Sequence, residues 1–262
     1  MNRALFTAAT GLSAQQLSLD VIANNLANAN TVGFKKSRAD FQDLVYQQMR
    51  EPGAQTGPNS ALPTGMQVGL GVSAGSTSSS FVQGTPQNTG GDYDLAINGQ
   101  GFFKVLLPDG TPAYTRAGNF GIDSQGKLVT SEGFAVQPEI TIPKDKKSIS
   151  ISPDGQVVVT IPGQANPQTV GTLQLTSFVN PAGLRNMGGN LFQATNASGA
   201  ASDSAPGAQG AGTLLYKTTE ASNVDIVDEM VRMIILQRTY DTNSKVVQAA
   251  DEMLSTTNNL KR

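Results

Sequence analysis

The chain has 262 residues and 38% hydrophobic content, enough for one large domain or two small ones with a real core. Eighteen Lys plus Arg against 20 Asp plus Glu give a net charge of −2, so no excess of positive charge is available for phosphates, and no nucleic acid is expected as a partner. The absence of His and Cys removes the usual general base near neutral pH, the commonest metal ligand, disulfides and thiolate sites, so no cofactor is expected and an enzyme is disfavoured from the start.

The amino end reaches Gln15 and Gln16 without the unbroken apolar run of a cleaved secretory signal, so any export is expected to use another route. Leu5, Leu12, Leu19 and Leu26 fall seven apart, with Ala8, Ile22 and Ala29 three residues after three of them. This a/d spacing predicts a helix over about residues 3–29 that packs against other helices. Asn28, Asn30 and Gly33 follow, a cluster in which a helix ends through a left-handed cap. A short helical piece is expected over about 39–49, and the Gly/Ser-rich stretch 52–84 reads as low complexity.

Beyond it the period changes to two, as in Ile140-Thr141-Ile142, Ile149-Ser150-Ile151 and Leu173-Gln174-Leu175. Turns at Asn98-Gly99, Asp109-Gly110, Gln125-Gly126 and Asp154-Gly155 separate short strands, which predicts a β-rich domain over about 72–216. Residues 196–212, almost all Ala, Ser, Gly, Asp, Gln and Pro, read as a mobile loop. Ile226, Met233, Tyr240, Val247 and Leu254 are again seven apart, after a capping-box pattern at Ser222, Asn223, Val224 and Asp225. They predict a helix over about 224–258. The expected class is α+β, with the two long terminal helices pairing as an antiparallel coiled-coil stalk and the domains running 1–45, 46–71, 72–216 and 217–262. Stripes this long need each other and neighbouring subunits, because a β domain beyond their ends cannot cover them. No apolar stretch approaches the ~18 residues that cross a bilayer.

Catalytic patterns fail on their surroundings. Gly71-Val72-Ser73-Ala74-Gly75 fits G-x-S-x-G, but no His exists to activate the serine and no helix follows. Gly69, Gly71 and Ala74 match a degenerate dinucleotide loop without its strand and helix, and Asp92 and Asp94 lack further acidic ligands at loop spacing. Asn196-Ala197-Ser198 is a sequon too short to carry meaning by itself. Four asparagines within residues 24–30 are costly inside a helix and useful at its end, so on physical grounds they read as a helix stop.

The same residues carry a resemblance. Asn24, Asn25, Leu26, Ala27, Asn28, Asn30, Thr31, Gly33, Phe34 and Lys35 resemble the amino-terminal signature of bacterial flagellar rod and hook axial proteins. Residues 220–240, with Ser222, Asn223 and Val224, and the stretch 251–254 resemble the family's carboxyl-terminal signature. Segments 94–103, 114–120, 126–134 and 180–184 are similar to its shared β region. The resemblance implies a structural subunit of a hollow helical drive shaft that crosses the periplasm and passes motor torque to the hook. It implies itself as first partner, other rod and hook proteins at the ends, ring proteins at the peptidoglycan and outer-membrane levels, and export by the flagellar type III apparatus without a cleaved signal. Self-assembly would run through the helices and their Leu5, Leu12, Leu19, Ile22, Leu26, Ile226, Met233, Tyr240, Val247 and Leu254. Length and the segment from Arg50 to Gly71 point to the distal-rod members, with the similarly sized last proximal-rod members as the alternative. In that segment Pro52, Pro58 and Pro63 stiffen an extended chain, and Leu62, Met66, Val68 and Leu70 offer anchors too widely spaced for a core, which predicts an extended or hairpin-like arm across an adjacent subunit. A flexible linker is the plainer reading of the segment, and a stalked extracellular binding module is the rival function, disfavoured by the absence of Trp and by only five Tyr.

Overall fold

The computed structural model describes residues 3–53, 55–57, 60–61, 63–163, 166–208 and 210–259. The fold is α+β, as the two periodicities require, and divides into two compact units. One comprises Met1–Leu26, Ser37–Ser78 and Ile226–Arg262, the other Ala27–Lys36 and Ser79–Asp225.

The first unit holds helix α1, Arg3–Ala27, and helix α2, Ile226–Asn259, whose 34 residues span about 50 Å at the usual rise. They run antiparallel. Near one end the Asn25 amide lies 3.5 Å from the Glu229 carboxylate, and further along a Cβ at Gly11 would sit 3.4 Å from the Asn243 amide nitrogen. Asp228 and Glu229 occupy the positive end of α2.

The helical piece expected over 39–49 is instead two strands. Ser37–Asp43 pairs with Val72–Ser79, and Tyr46–Arg50 pairs antiparallel with Met66–Gly69. Propensity is a weak prior, and here pairing with partners that lie further along the chain outweighs it. Gln55–Gly57 pairs with Ser60–Ala61, so the segment between Tyr46 and Gly69 folds back on itself as a hairpin. Gly71, at φ +122°, meets α1: a Cβ there would fall 2.2 Å from the Thr10 hydroxyl, to which the Val72 N–H donates at 3.4 Å.

The second unit is built on a seven-stranded antiparallel sheet, in order Gly121–Ile122, Leu128–Val129, Ala135–Gln137, Phe103–Leu106, Pro112–Thr115, Leu191–Gln193 and Arg185–Gly188. A three-stranded sheet of Ser148–Ile151, Gln156–Thr160 and Gln168–Thr172 packs its buried Ile149, Ile151, Val157 and Val159 into the same core as Phe103 and Val105. That core holds Leu95 and Ile97 of the strand Leu95–Asn98, which pairs antiparallel with Thr213–Tyr216 and its buried Leu214. Pro86–Asn88 pairs with Thr218–Glu220. A smaller cluster stacks Phe81, Phe102, Tyr114, Phe178 and Phe192 edge to face, with ring centroids 4.8 to 6.0 Å apart.

The described part of 196–212 is irregular for most of its length but anchored, where a mobile loop was expected. Ser198 and Ala211 are buried, and Ser202–Ser204 pairs with Leu175–Ser177. Asp203 bonds the Lys104 ammonium at 2.8 Å and the Thr176 hydroxyl at 2.5 Å. The small residues that suggested mobility allow close backbone approach instead: a Cβ at Gly212 would lie 2.4 Å from the Asn98 carbonyl oxygen.

Gly118 closes the sheet in the same way. Its carbonyl accepts the Leu95 N–H at 2.9 Å, and a Cβ on Gly118 would stand 1.5 Å from the Leu95 carbonyl oxygen. Backbone must move to admit it, so Gly118→Ala is expected to lower stability by about 3 kcal/mol, read as an earlier urea midpoint with unchanged slope.

Candidate assembly site

The amino-terminal signature does more than stop a helix. In the first unit Asn25 is buried at the last turn of α1, and its amide acts as a strand partner for Ser37: Nδ2 donates to the Ser37 carbonyl at 2.8 Å, and Oδ1 accepts the Ser37 N–H at 2.9 Å. Asn24 is exposed beside it and Leu26 is half-buried.

In the second unit Ala27 and Asn30 are exposed, and Asn28 and Thr31 form a turn through the Thr31 N–H to the Asn28 carbonyl at 3.1 Å. Phe34 donates back to the Thr31 carbonyl at 3.2 Å. Gly33, at φ +70°, donates to the Glu220 carbonyl at 2.8 Å and packs so close to Ala117 that a Cβ would fall 2.4 Å from its nitrogen. Lys35 then enters a buried ion cluster. Its ammonium donates to Glu220 Oε1 at 2.5 Å and to the Val82 carbonyl at 2.8 Å. The Gly84 N–H also donates to Oε1, at 2.8 Å. Arg116 Nε makes a close ion contact with Glu220 Oε2 at 3.1 Å, while its other nitrogens donate to the carbonyls of Gly99 and Gly101.

All three side chains are within 3% of full burial. Burial pushes the Lys35 ammonium below its ordinary pKa, against the opposing pull of Glu220, and burial lowers Arg116 in the same way. One carboxylate thus serves two desolvated cations. Three residues on, Asn223 accepts the Lys36 N–H at 2.8 Å and donates to the Ser80 and Val82 carbonyls at 2.8 and 3.0 Å. Ser222 and Val224 are half-buried, with the Val224 N–H donating to the Ser222 hydroxyl at 3.3 Å. The two signatures interlock because each supplies what the other lacks.

The seven-residue stripes divide in their exposure. Leu5, Leu12, Leu19, Met233 and Val247 are half-buried, Ile22 is buried, and Ile226, Tyr240 and Leu254 remain 44%, 46% and 40% exposed. Leu19, Leu236 and Tyr240 line an open groove of about 270 Å³ between the helices. A second stripe, which heptad counting from Ile226 passes over, lies on another face of α2: Val227, Met230, Val231, Ile234 and Ile235 are 50 to 70% exposed. Its signal was present as apolar residues at i, i+3, i+4 and i+7.

On the hairpin every residue of Tyr46–Arg50 is exposed, with Tyr46 and Met49 more than half so. Pro63 is exposed, Met66 and Val68 are 55% and 38% exposed, and Leu70 is half-buried, while Leu62 and Pro58 lie outside the described residues. Glu220, Arg116 and Glu229 were not singled out from sequence as site residues. All three sat within recognised segments, Glu220 and Glu229 in 220–240 and Arg116 in 114–120, and nothing local marked Arg116 as the counterpart of Glu220.

Residues 5–35 match the family described as flagella basal body rod protein, 217–260 the flagellar basal body rod FlgEFG protein C-terminal family, and 96–159 the flagellar hook protein FlgE/F/G D1 domain. The chain is 53% identical over 260 residues to the flagellar basal-body rod protein FlgG of Caulobacter vibrioides, covering 99% of each chain. It is 49% identical to that of Borreliella burgdorferi and 42% identical to that of Bacillus subtilis, covering 100% of both chains in each case.

Proposed function

The chain belongs to the flagellar basal-body rod protein family and is a structural, self-assembling subunit of the rod rather than an enzyme, and from that premise we propose that it forms the distal rod, a hollow helical shaft that transmits torque to the hook. Its general setting is the basal body, among other rod and hook proteins. The observation that carries the assembly mechanism is the exposed apolar face of α2 at Met230, Val231, Ile234 and Ile235. A monomer gains nothing from exposing so many large apolar side chains on one face, whereas a helical polymer buries the face in every subunit. Leu5, Leu12, Leu19, Ile22 and Val247 are used chiefly to seat α1 on α2, and Ile226, Tyr240 and Leu254 join the second stripe against neighbours.

Further partners follow from position. Ring proteins at the peptidoglycan and outer-membrane levels surround the shaft, and the flagellar export apparatus delivers the subunit to it. The hairpin between Tyr46 and Gly69 lies across an adjacent subunit, because a two-stranded ribbon with Tyr46, Met49, Met66 and Val68 exposed has no core of its own. Filling the gap between subunits in this way keeps the shaft straight.

Electron microscopy of the concentrated protein tests both statements. Straight tubes are expected from the natural chain, and curved or more easily bent tubes from a deletion of residues 52–68. Stable monomers at high concentration would overturn assembly, and unchanged stiffness after the deletion would reduce the hairpin to a tether.

A further inference from the structure

The strands that open the second unit are closed by the segment that ends it. Pro86–Asn88 and Leu95–Asn98 each pair with one strand among the described residues, Thr218–Glu220 and Thr213–Tyr216 respectively. The Ala221 N–H donates to the Thr85 carbonyl at 3.0 Å, and the Asn223 side chain holds Lys36, Ser80 and Val82. Glu220 gathers the most. Its carbonyl takes the Gly33 N–H, and its carboxylate takes Gly84, Lys35 and Arg116, with Lys35 lying 185 residues away along the chain.

We propose that Glu220 is a folding keystone: the β unit stays uncommitted until residues 213–223 join it, so that a chain emerging amino end first completes this unit only after its carboxyl-terminal part is free. The reason is electrostatic and topological together. Before Glu220 arrives, closing the unit would bury the Lys35 ammonium and the Arg116 guanidinium with no carboxylate between them, and an unpaired buried charge is strongly disfavoured. Leu95 and Ile97, fully buried in the finished core, would likewise lack the cover of Leu214. Pairings this distant in sequence carry a large loop-closure cost that is repaid only when many contacts form at once. The strand Phe103–Leu106 is the critical case, since its immediate partners Pro112–Thr115 and Ala135–Gln137 are local and would form early if local pairing were enough.

Pulse-labelled hydrogen exchange during refolding of the full-length natural chain decides it, at a dilution where no polymer forms, so the outcome is independent of the rod reading. Amides of Phe103–Leu106 are expected to gain protection in the same kinetic phase as those of Ala96 and Asn98, on the strand that pairs with Thr213–Tyr216. Protection of Phe103–Leu106 tenfold or more ahead of Ala96 and Asn98 would overturn the proposal. Glu220→Gln, which keeps shape and some hydrogen bonding, is expected to slow that shared phase at least tenfold. An unchanged folding rate with faster unfolding would place Glu220 after the barrier and also overturn it.

Discussion

Glu220→Ala is expected to leave the β unit without a stable tertiary structure at neutral pH. The substitution strands two cations, Lys35 and Arg116, whose side chains are 0% and 3% exposed, and it orphans the Gly84 N–H. Breaking one buried pair by removing a partner costs about 3–5 kcal/mol. Here two pairs break at once, against a total stability of about 5–15 kcal/mol for a typical domain. Near-ultraviolet circular dichroism and a urea titration would report the loss. A variant that unfolds at the same urea concentration as the natural chain would mean that water reaches the cations and screens them.

The variant should also recover in part as the solution is made alkaline. Burial already lowers Lys35 below its ordinary value of 10.5, and without Glu220 the forces that raise it are gone. A base whose folded pKa lies below its unfolded one favours the folded state in its neutral form. That gain is complete above the unfolded value and is lost as pH falls through the folded one. The recovery window therefore lies between the lowered value and 10.5, and recovery stays partial because Arg116 keeps its charge.

Ile234→Asp is expected to abolish polymerisation while leaving the monomer folded. Ile234 is 50% exposed in the single chain, so a carboxylate there stays hydrated and costs little. In the polymer the same group would be buried without a partner, at several kcal/mol per contact, and the penalty recurs in every subunit. Sedimentation velocity should find only monomer, with an unchanged circular dichroism spectrum. Leu19→Asp makes the contrast: Leu19 is half-buried between α1 and α2, so a charge there should loosen the helix pair as well as the polymer. Normal tubes from Ile234→Asp would remove the second stripe of α2 from the subunit contact.

Much of the architecture was legible in short windows. Leucines seven apart define α1, the stripe from Ile226 defines α2, and Asn98-Gly99 or Asp154-Gly155 between alternating residues define strands, because each signal is a property of a few consecutive side chains. The signatures near Asn25 and Asn223 could be read as family marks but not as the hydrogen-bonding devices they are. Residues 39–49 misled because their partner strands lie further along the chain, and 196–212 misled because small residues serve close packing as well as mobility. The pairing of Lys35 with Glu220, like the choice of which α2 stripe meets α1 and which stays exposed, belongs to the tertiary structure alone. Local periodicity states that a face is apolar or that a side chain is charged, and only folding across long separations in sequence decides what that face or charge will meet.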